Sequence, residues 1–285
     1  MSKTGTDTLP GTAEGAAIGR ALHTRLAQDP VLEDTWAIHL LSAANREAAL
    51  AAIDAGAMHL VNGFDASPIF AVNVGCLRFG EDVVTRCIEA GMDQYIILGA
   101  GLDSFALRRH DLVGRVTVLE VDHPDVQAIK RERIASSSLT PAMEPQFVAL
   151  DFESEEIGAS LSGAGLDSTR PAVVSWLNTV HYLSEEAVMG TLQALAGVLA
   201  PGSRLVMNYA PDVDFNAAQM AFIEQLLAVT DAASEPMKSR WRPAVFESVL
   251  AEAGFETVEH VDEVQLTQRY FSARPDGLRP GLPLR

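Results

Sequence analysis

The chain has 285 residues, enough for one α/β domain with extra helices, and its 48% hydrophobic and 21% charged residues are typical of a packed globular protein. Acidic side chains outnumber basic ones by 38 to 21, giving a formal net charge of -17, which argues against nucleic acid as the main partner because it repels phosphate backbones. This charge suits an enzyme acting on small molecules and a binding protein equally.

Two cysteines, Cys76 and Cys87, are too few to staple a chain of this size, and no Cys-x-x-Cys spacing suggests a metal site. We interpret them as free thiols in a reducing compartment. No apolar run reaches the ~20 residues that span a bilayer, and the polar N-terminus lacks the apolar segment of a signal peptide. We therefore expect a cytoplasmic protein without a membrane partner.

The N-terminal part is predicted to be helical after a loose start over residues 1–14, which are rich in Thr and Gly. Over residues 16–57 apolar residues recur three and four apart, with an interruption at Pro30. We assign residues 15–80 to a helical cap of two or three helices. A further helix is predicted over residues 81–90, ended by Gly91.

Short apolar runs alternate with helical segments through the rest of the chain. The predicted strands cover residues 94–98, 115–121, 145–150, 172–177 and 204–209, and the predicted helices cover 123–134, 184–199, 215–229 and 243–253. This alternation indicates an α/β fold with a mostly parallel sheet covered on both faces. Two late strands, 256–261 and 268–273, are expected to close the sheet, the last one antiparallel. Residues 81–285 then form the α/β core of a single structural domain, with an acceptor-side insert near Trp241 and Arg242.

Residues 95–110 read YIILGAGLDSFALRRH, so a predicted strand enters Gly99, Ala100 and Gly101. Ligands of parallel α/β sheets bind beyond the carboxyl ends of the strands, and glycines there let the backbone approach a ligand closely. The spacing is Gly-x-Gly-x-x-Ser, with Ser104 where a dinucleotide fingerprint has its third glycine. A tight turn without a ligand is the alternative.

The second strand, VTVLEVDHP, ends in Glu120 and Asp122. Asp122 follows the glycine turn by about twenty residues, the spacing at which a carboxylate meets a ribose hydroxyl pair. The alternative is a helix N-cap before Pro124, and His123 is expected to cap that helix. The turn and Asp122 together predict a cofactor that carries adenosine.

NAD(P) and S-adenosylmethionine are the two candidates. Asp103, inside the turn, would repel a pyrophosphate resting on the helix N-terminus, but it suits a cofactor with a cationic sulfur and an ammonium group. Asp151 follows the third strand in VALDFE and could receive the adenine amino group. A turn or helix cap is the alternative for Asp151.

The segments YIILGAGLDSFALR, VTVLEVDHPDVQAIKRERI and VALDF resemble the leucine carboxyl methyltransferase family, which includes bacterial polyketide O-methyltransferases of the tetracenomycin type. TAEGAAIGRAL, SWLNTVHYLSEEAVMGTL, PGSRLVMNY and YFSARPDGL resemble the bacterial branch. The resemblance implies a class I methyltransferase fold, which is Rossmann-like, and S-adenosylmethionine as the cofactor.

The same resemblance implies that the glycine turn packs against the amino-acid end of the cofactor, that Asp122 holds the ribose, and that Asp151 and Phe152 flank the adenine. Members that methylate carboxylates carry a Glu-Gly pair, whose Glu helps to hold the cofactor, where this chain has Leu177 and Asn178. The predicted cofactor-binding residues are Arg78, Gly99, Ala100, Gly101, Asp103, Glu120, Asp122, His123, Asp151, Phe152 and Asn178.

An arginine pairs with the cofactor carboxylate in those family members. Arg78, in VGCLRFGED, stands close to the matching place, and Arg20 is a rival for the role.

Thr179, His181 and Tyr182 follow the fourth strand and would face the methyl group. His181 is the candidate base because the unperturbed pKa of an imidazole lies near working pH; a backbone-bonded histidine in a helical turn is the alternative. Tyr182, the second residue of the predicted catalytic pair, is expected to line the pocket. Tyr209 is a candidate for the acceptor site, and Trp36, Met58, Phe64 and Phe70 are lid candidates or ordinary core.

These patterns predict an S-adenosylmethionine-dependent O-methyltransferase that modifies a carboxylate or hydroxyl of a small-molecule, polyketide-like or peptide acceptor. A carboxylate is already ionised and needs no base, whereas an alcohol or phenol benefits from one. A catalytically weak cofactor-binding protein of the same fold is an alternative, and an NAD-dependent oxidoreductase is a weaker one.

Overall fold

The computed structural model describes residues 11–57, 60–61, 64–65 and 67–283. Over these residues the helices are α1 Gly11–Leu26, α2 Ala43–Asp54, α3 Ser67–Glu89, α4 Phe105–Arg108, α5 Pro124–Ser136, α6 Ile157–Gly163, α7 Glu185–Val198, α8 Ala217–Ala232, α9 Pro243–Glu252 and α10 Glu263–Tyr270. The strands are β1 Leu60–Val61, β2 Phe64–Asp65, β3 Gln94–Leu98, β4 Thr117–Asp122, β5 Gln146–Ala149, β6 Val173–Trp176 and β7 Arg204–Met207. No helix in the described ranges combines the length and apolar character needed to cross a membrane.

Five strands form a parallel sheet in the order β5-β4-β3-β6-β7. The prediction of a parallel α/β sheet is therefore confirmed. The chain moves outward from β3 to one side through β4 and β5, and then returns to the other side through β6 and β7. This reversal leaves a crevice at the carboxyl end of β3, which is where α/β proteins bind their ligands.

Both faces of the sheet are covered, as its apolar strands require. On β3, Ile96 and Leu98 pack in a core with residues of α6 and α7. Tyr95 and Ile97 face the other way and pack with residues of α3 and α4. The alternation follows from the two-residue repeat of a strand, and it holds the end of β3 rigidly between two helical layers.

The helical cap is joined to the core by a buried carboxylate. Glu14 of α1 is 4% exposed and accepts hydrogen bonds from the backbone N–H of Ser42 and the side-chain amide of Asn45. It also pairs with Arg133 of α5 at 2.6 Å. A buried charge requires such compensation, so this cluster fixes α1 and α2 on the core.

Two predicted boundaries differ from the structure at the N-terminal side. Residues 11–14, expected to be loose, belong to α1, and residues 1–10 lie outside the described residues. The expected boundary between cap and core at residue 80 falls inside the continuous helix α3. Gly80 lies within this helix and packs closely on Leu177. A Cβ at this position would come within 2.5 Å of the leucine side chain.

The two predicted late strands are wrong. Residues 256–261 adopt no helix or strand, and residues 263–270 form α10 instead of a strand. The helix begins because Asp262 and Gln265 form a reciprocal capping box, and Leu266 then packs on α3 with Phe271. The antiparallel last strand is thus absent from the described sheet, and β7 is its edge.

Candidate functional site

The turn after β3 places bare backbone at the crevice. Gly99 and Gly101 have φ angles of 63° and 46°, in the left-handed region that favours glycine. A Cβ on Gly99 would lie 2.4 Å from the Thr179 side chain, whereas a Cβ on Gly101 would meet nothing closer than Ala13 at 3.9 Å. The first glycine therefore admits the loop after β6, and the second supplies the turn geometry.

Asp122 lies at the end of β4, directly beside this turn. Its Oδ2 accepts from the Gly101 backbone N–H at 2.5 Å, and its Oδ1 accepts from the His123 N–H at 2.6 Å. An ionised carboxylate has about four acceptor positions, so roughly half of them remain for a ligand. Burial raises the pKa of Asp122, and the two backbone hydrogen bonds oppose that shift.

Glu120, two residues earlier, is buried under the turn. Its side chain is 1% exposed and pairs with the equally buried Lys130 at 2.5 Å, a partner that the sequence analysis missed. Its Oε1 has no hydrogen-bond partner among the described residues. Burial raises the pKa of this carboxyl to about 7. Glu120 was predicted to contact the cofactor, but the structure directs it to Lys130.

Asp103 closes the turn. Its Oδ1 accepts from the Phe105 N–H at 2.7 Å, at the start of the short helix α4. Burial raises the pKa of Asp103. Lys130 pairs with Glu120 and also acts electrostatically on Asp103 and Asp122, so one ammonium is shared by three carboxylates. This surplus of carboxylates favours a ligand that carries positive charge.

Asp151 and Phe152 reach the same edge through β5. The Leu150 N–H donates to the Asp122 carbonyl at 2.9 Å, which carries the pairing of β4 and β5 past the strand end. Asp151 accepts from the Glu153 N–H and the Ser154 hydroxyl, and these bonds lower its pKa. Phe152 is half-buried and stacks on Trp176 at 6.1 Å. The structure therefore places Asp151 and Phe152 at the same edge of the sheet as Asp122.

The loop after β6 lies on the other side of the turn. The Thr179 hydroxyl donates to the Gly99 carbonyl at 3.4 Å and the Leu177 carbonyl at 3.0 Å. His181 follows in a short 3-10 helix, Val180–Tyr182. Burial lowers the pKa of His181 to about 4, so its imidazole is neutral and weakly basic. This weak basicity counts against the predicted role of His181 as a base.

The first turn of α1 covers the crevice, a feature that the sequence analysis missed because it assigned these residues to a loose terminus. Ala13 is the nearest side chain above Gly101. Thr12 donates to Glu235 from its backbone N–H at 2.9 Å and also interacts with Tyr182. Burial raises the pKa of Tyr182 to about 12, so this phenol stays neutral and lines the covered space.

The two candidate arginines are occupied. Arg20 is buried, pairs with Asp34 at 2.7 Å and donates to the Leu102 carbonyl at 2.6 Å. Arg78 is 45% exposed and pairs with Asp82 at 2.9 Å, while its Nη1 donates to the Val31 carbonyl. Arg20 therefore braces the residue that follows the glycine turn. The contacts of Arg78 within the described ranges are with Asp82, Val31 and Tyr270.

The lid and acceptor-site candidates are mostly core. Trp36, Phe70, Tyr209 and Trp241 are 9% exposed or less and belong to hydrophobic clusters. Met58 and the side chain of Phe64 lie outside the described residues. His123 caps α5 as predicted, since its side chain accepts from the Asp125 N–H.

The sequence profile of the leucine carboxyl methyltransferase family matches residues 13–196. This range contains most of α1, the glycine turn, Asp122, Asp151 and the loop after β6. The chain belongs to the leucine carboxyl methyltransferase family. Family membership decides between the two candidate cofactors, because this is a family of S-adenosylmethionine-dependent methyltransferases and not of NAD-dependent oxidoreductases.

Relatives agree with the family assignment. YktD of Bacillus subtilis (strain 168) is 31% identical over 199 residues, which are 70% of this chain and 65% of YktD. A protein of Mycolicibacterium gilvum (strain PYR-GCK) is 33% identical over 225 residues, 76% of this chain and 71% of that relative. Both relatives are named as proposed S-adenosyl-L-methionine-dependent methyltransferases. The chain thus spans about two thirds of the length of these curated relatives.

Two solved structures share the fold. A DUF574 family protein from Streptomyces avermitilis MA-4680 has a TM-score of 0.54 at 21% identity, covering 93% of this chain and 94% of its own. A proposed methyltransferase from Thermobifida fusca YX has a TM-score of 0.53 at 22% identity, covering 96% of each chain. At these identities the likeness concerns the class I methyltransferase fold alone.

The family's cofactor fits this site. Asp122 keeps acceptor positions for the two ribose hydroxyls, and the acidic surroundings of the turn suit a cationic ligand. S-adenosylmethionine, when bound, supplies a methyl group already activated on a positively charged sulfur. A protein of this family therefore has to hold and align the reactants, and it does not have to activate the methyl donor.

Proposed function

We propose that this chain transfers the methyl group of S-adenosylmethionine to an oxygen atom, a carboxylate or a hydroxyl, of a small-molecule, polyketide-like or peptide acceptor. The observation that carries the proposal is the hydrogen bond from Gly101 to Asp122. It joins the bare turn and the ribose carboxylate into one wall at the carboxyl ends of adjacent parallel strands, where a nucleoside fits.

The residues around this wall suit a displacement that excludes water. Ala13 and Tyr182 cover the crevice from α1 and from the loop after β6, and Tyr182 is half-buried and neutral. His181 accepts protons only weakly because burial lowers its pKa to about 4. A weak base gives little help to an alcohol, which supports an acceptor that arrives ionised, such as a carboxylate, over a hydroxyl.

A second candidate is a cofactor-binding protein with weak catalysis. Leu177 and Asn178 stand where family members that methylate carboxylates carry a Glu-Gly pair. Both arginines considered for the cofactor carboxylate have other partners. These differences favour altered binding of the amino-acid end of the cofactor. They leave the ribose wall intact, so this candidate also binds the cofactor and differs only in turnover.

Calorimetry with S-adenosylhomocysteine and NADH tests the shared part of these proposals. We expect the chain to bind S-adenosylhomocysteine and not NADH. Transfer of labelled methyl groups is then measured with a panel of carboxylic acids, phenols and alcohols. Transfer to an oxygen acceptor supports the enzyme, whereas tight binding without transfer to any acceptor supports the weakly catalytic protein. Binding of NADH in preference to S-adenosylhomocysteine would refute both.

A further inference from the structure

Asn178 has an unusual backbone. Its φ angle of 57° lies in the left-handed region, which costs most residues other than glycine roughly 1–2 kcal/mol and is tolerated better by asparagine. Such a conformation persists only where the surroundings impose it. Here the surroundings are Asn208, which directly follows β7 and is 6% exposed, whereas Asn178 stands two residues after β6.

Two hydrogen bonds join these asparagines, and together they form the Asn178–Asn208 clasp. The Asn178 backbone N–H donates to Asn208 Oδ1 at 2.6 Å, and Asn208 Nδ2 donates to Asn178 Oδ1 at 3.1 Å. The second N–H of Asn208 Nδ2 points to the Cys76 sulfur at 3.6 Å. Because burial raises the pKa of Cys76 to about 12, this thiol stays neutral and accepts.

The clasp fixes which end of the Asn178 amide faces outward. A backbone N–H only donates, so the atom of Asn208 that faces it is the oxygen. The amide nitrogen of Asn208 then faces Asn178 and requires an acceptor there, which is Oδ1. The amide nitrogen of Asn178 is left as the outward group, and none of the described residues accepts from it. Asn178 is half-buried, so this donor is only partly hydrated.

The position of this donor identifies what it meets. Asn178 immediately precedes Thr179, whose hydroxyl contacts the Gly99 carbonyl, so it borders the turn at the side away from Asp122. A nucleoside whose ribose lies on Asp122 extends its amino-acid end toward that side. The carboxylates of Asp103 and Asp122 suit the ammonium and sulfur of the cofactor but repel its carboxylate. Arg20 and Arg78 are paired elsewhere.

We propose that the Asn178 side-chain N–H₂ donates to the carboxylate of the cofactor's amino-acid end, and that Asn208 is the positioning residue that holds it in that orientation. This inference rests on the proposed function and names a contact of the same site. It gives a donor role to Asn178, at the position where the Glu-Gly pair of the members that methylate carboxylates has glycine and therefore no side chain. The clasp explains why a strained, non-glycine residue stands at this place.

The direction in which one substitution changes the affinity for S-adenosylhomocysteine tests the proposal. Asn178→Asp keeps the shape and the acceptor for Asn208 but replaces the donor by a negative oxygen. We expect it to weaken S-adenosylhomocysteine binding on the order of tenfold or more, because a charge-assisted hydrogen bond becomes a repulsion. Methylthioadenosine, which has the nucleoside and sulfur but no carboxylate, should bind the variant and the wild type equally well. Calorimetry measures both affinities.

Other results overturn it. Unchanged or stronger S-adenosylhomocysteine binding by Asn178→Asp would show that the amide meets no carboxylate, or that it meets the ammonium. An equal loss of methylthioadenosine binding would indicate general damage to the site, and a loss confined to S-adenosylhomocysteine in Arg78→Ala, with none in Asn178→Asp, would assign the carboxylate to Arg78. A wild type that binds neither ligand would instead refute the proposed function.

The role of Asn208 is tested by a double-mutant cycle. Asn208→Ala should weaken S-adenosylhomocysteine binding in the wild-type background but not in an Asn178→Gly background, where there is no amide to orient. Equal losses in both backgrounds would refute the positioning role. Ser234→Gly is the matched control, because Ser234 is also left-handed, with a φ angle of 62°, and lies outside the site; it should leave both affinities unchanged.

Discussion

Gly101 and Asp122, 21 residues apart in the sequence, are joined by a hydrogen bond of 2.5 Å from the backbone N–H to the carboxylate. The bond ties the end of β3 to the end of β4 at the reversal of strand order. It leaves the carboxylate with acceptor positions directed out of the sheet. The glycine turn and the acidic residue therefore act as one rigid wall rather than as two independent contacts.

Asp122→Asn should weaken S-adenosylhomocysteine binding by about tenfold or more, because hydrogen bonds to a charged acceptor contribute roughly 1.5–3 kcal/mol. The side-chain amide of this variant would also direct its N–H₂ group at one of the two backbone N–H groups from which the carboxylate now accepts, so that two donors would face each other. Asp125→Asn makes the same charge change three residues later, on a side chain that is 89% exposed. Calorimetry should show almost wild-type affinity for that control, and equal losses in both variants would contradict the role of Asp122.

Gly99→Ala should destabilise the fold by at least about 1–2 kcal/mol, since the residue has a positive φ and the added Cβ would lie 2.4 Å from Thr179. Gly190→Ala is the matched control within α7, where no atom lies within 4 Å of the added group. It should stabilise by roughly 0.5–1 kcal/mol because alanine favours helix. Urea unfolding measures both changes; a neutral Gly99→Ala would be inconsistent with this turn geometry.

Asp34→Asn should cost roughly 3 kcal/mol of stability, because it leaves the buried Arg20 charge without a partner. Burial alone would raise the pKa of Asp34, but the charges of Arg20 and Arg108 outweigh it and hold the pKa below its usual value. Asp212→Asn breaks an exposed pair with Arg242 and should cost less than about 1 kcal/mol. Similar losses of unfolding free energy in the two variants would contradict the bracing role of Arg20.

His181 makes stability depend on pH. Its pKa is lowered to about 4 in the folded chain but lies near 6.5 when unfolded, so the unfolded state binds the proton first. The stability that this neutral imidazole contributes is complete above about pH 6.5 and is lost as pH falls toward about 4. His181→Asn should therefore lose less stability than wild type between about pH 7 and about pH 5.

Urea unfolding at several pH values checks this difference. His110→Asn removes an exposed imidazole and should follow the wild-type curve. If His181→Asn also follows that curve, the imidazole of His181 is not desolvated in the folded chain. The same variant should keep wild-type affinity for S-adenosylhomocysteine, since His181 is predicted to face the methyl group and not the cofactor's nucleoside.

The central elements could be predicted from local sequence because their determinants are local. Strand β3 is an apolar run that ends in glycines, and α5 begins where His123 and Pro124 supply a cap and a fixed φ. Where local signals were ambiguous, the prediction was wrong. Residues 268–273 were assigned to a strand, but the capping box at Asp262 and the packing of Leu266 on α3 select a helix.

By itself the sequence determined the parallel sheet, the glycine turn and the carboxylate of Asp122 about twenty residues after that turn. It also determined the difference from the family's Glu-Gly pair at Leu177 and Asn178. Only the tertiary structure decided that Asn208 hydrogen-bonds to Asn178 across 30 residues, that Lys130 pairs with Glu120, and that Thr12 reaches Glu235 across 223 residues. The physical reason is that a turn or a cap depends on neighbours along the chain. A buried polar group, in contrast, needs a partner wherever packing brings one, and that packing depends on the whole fold.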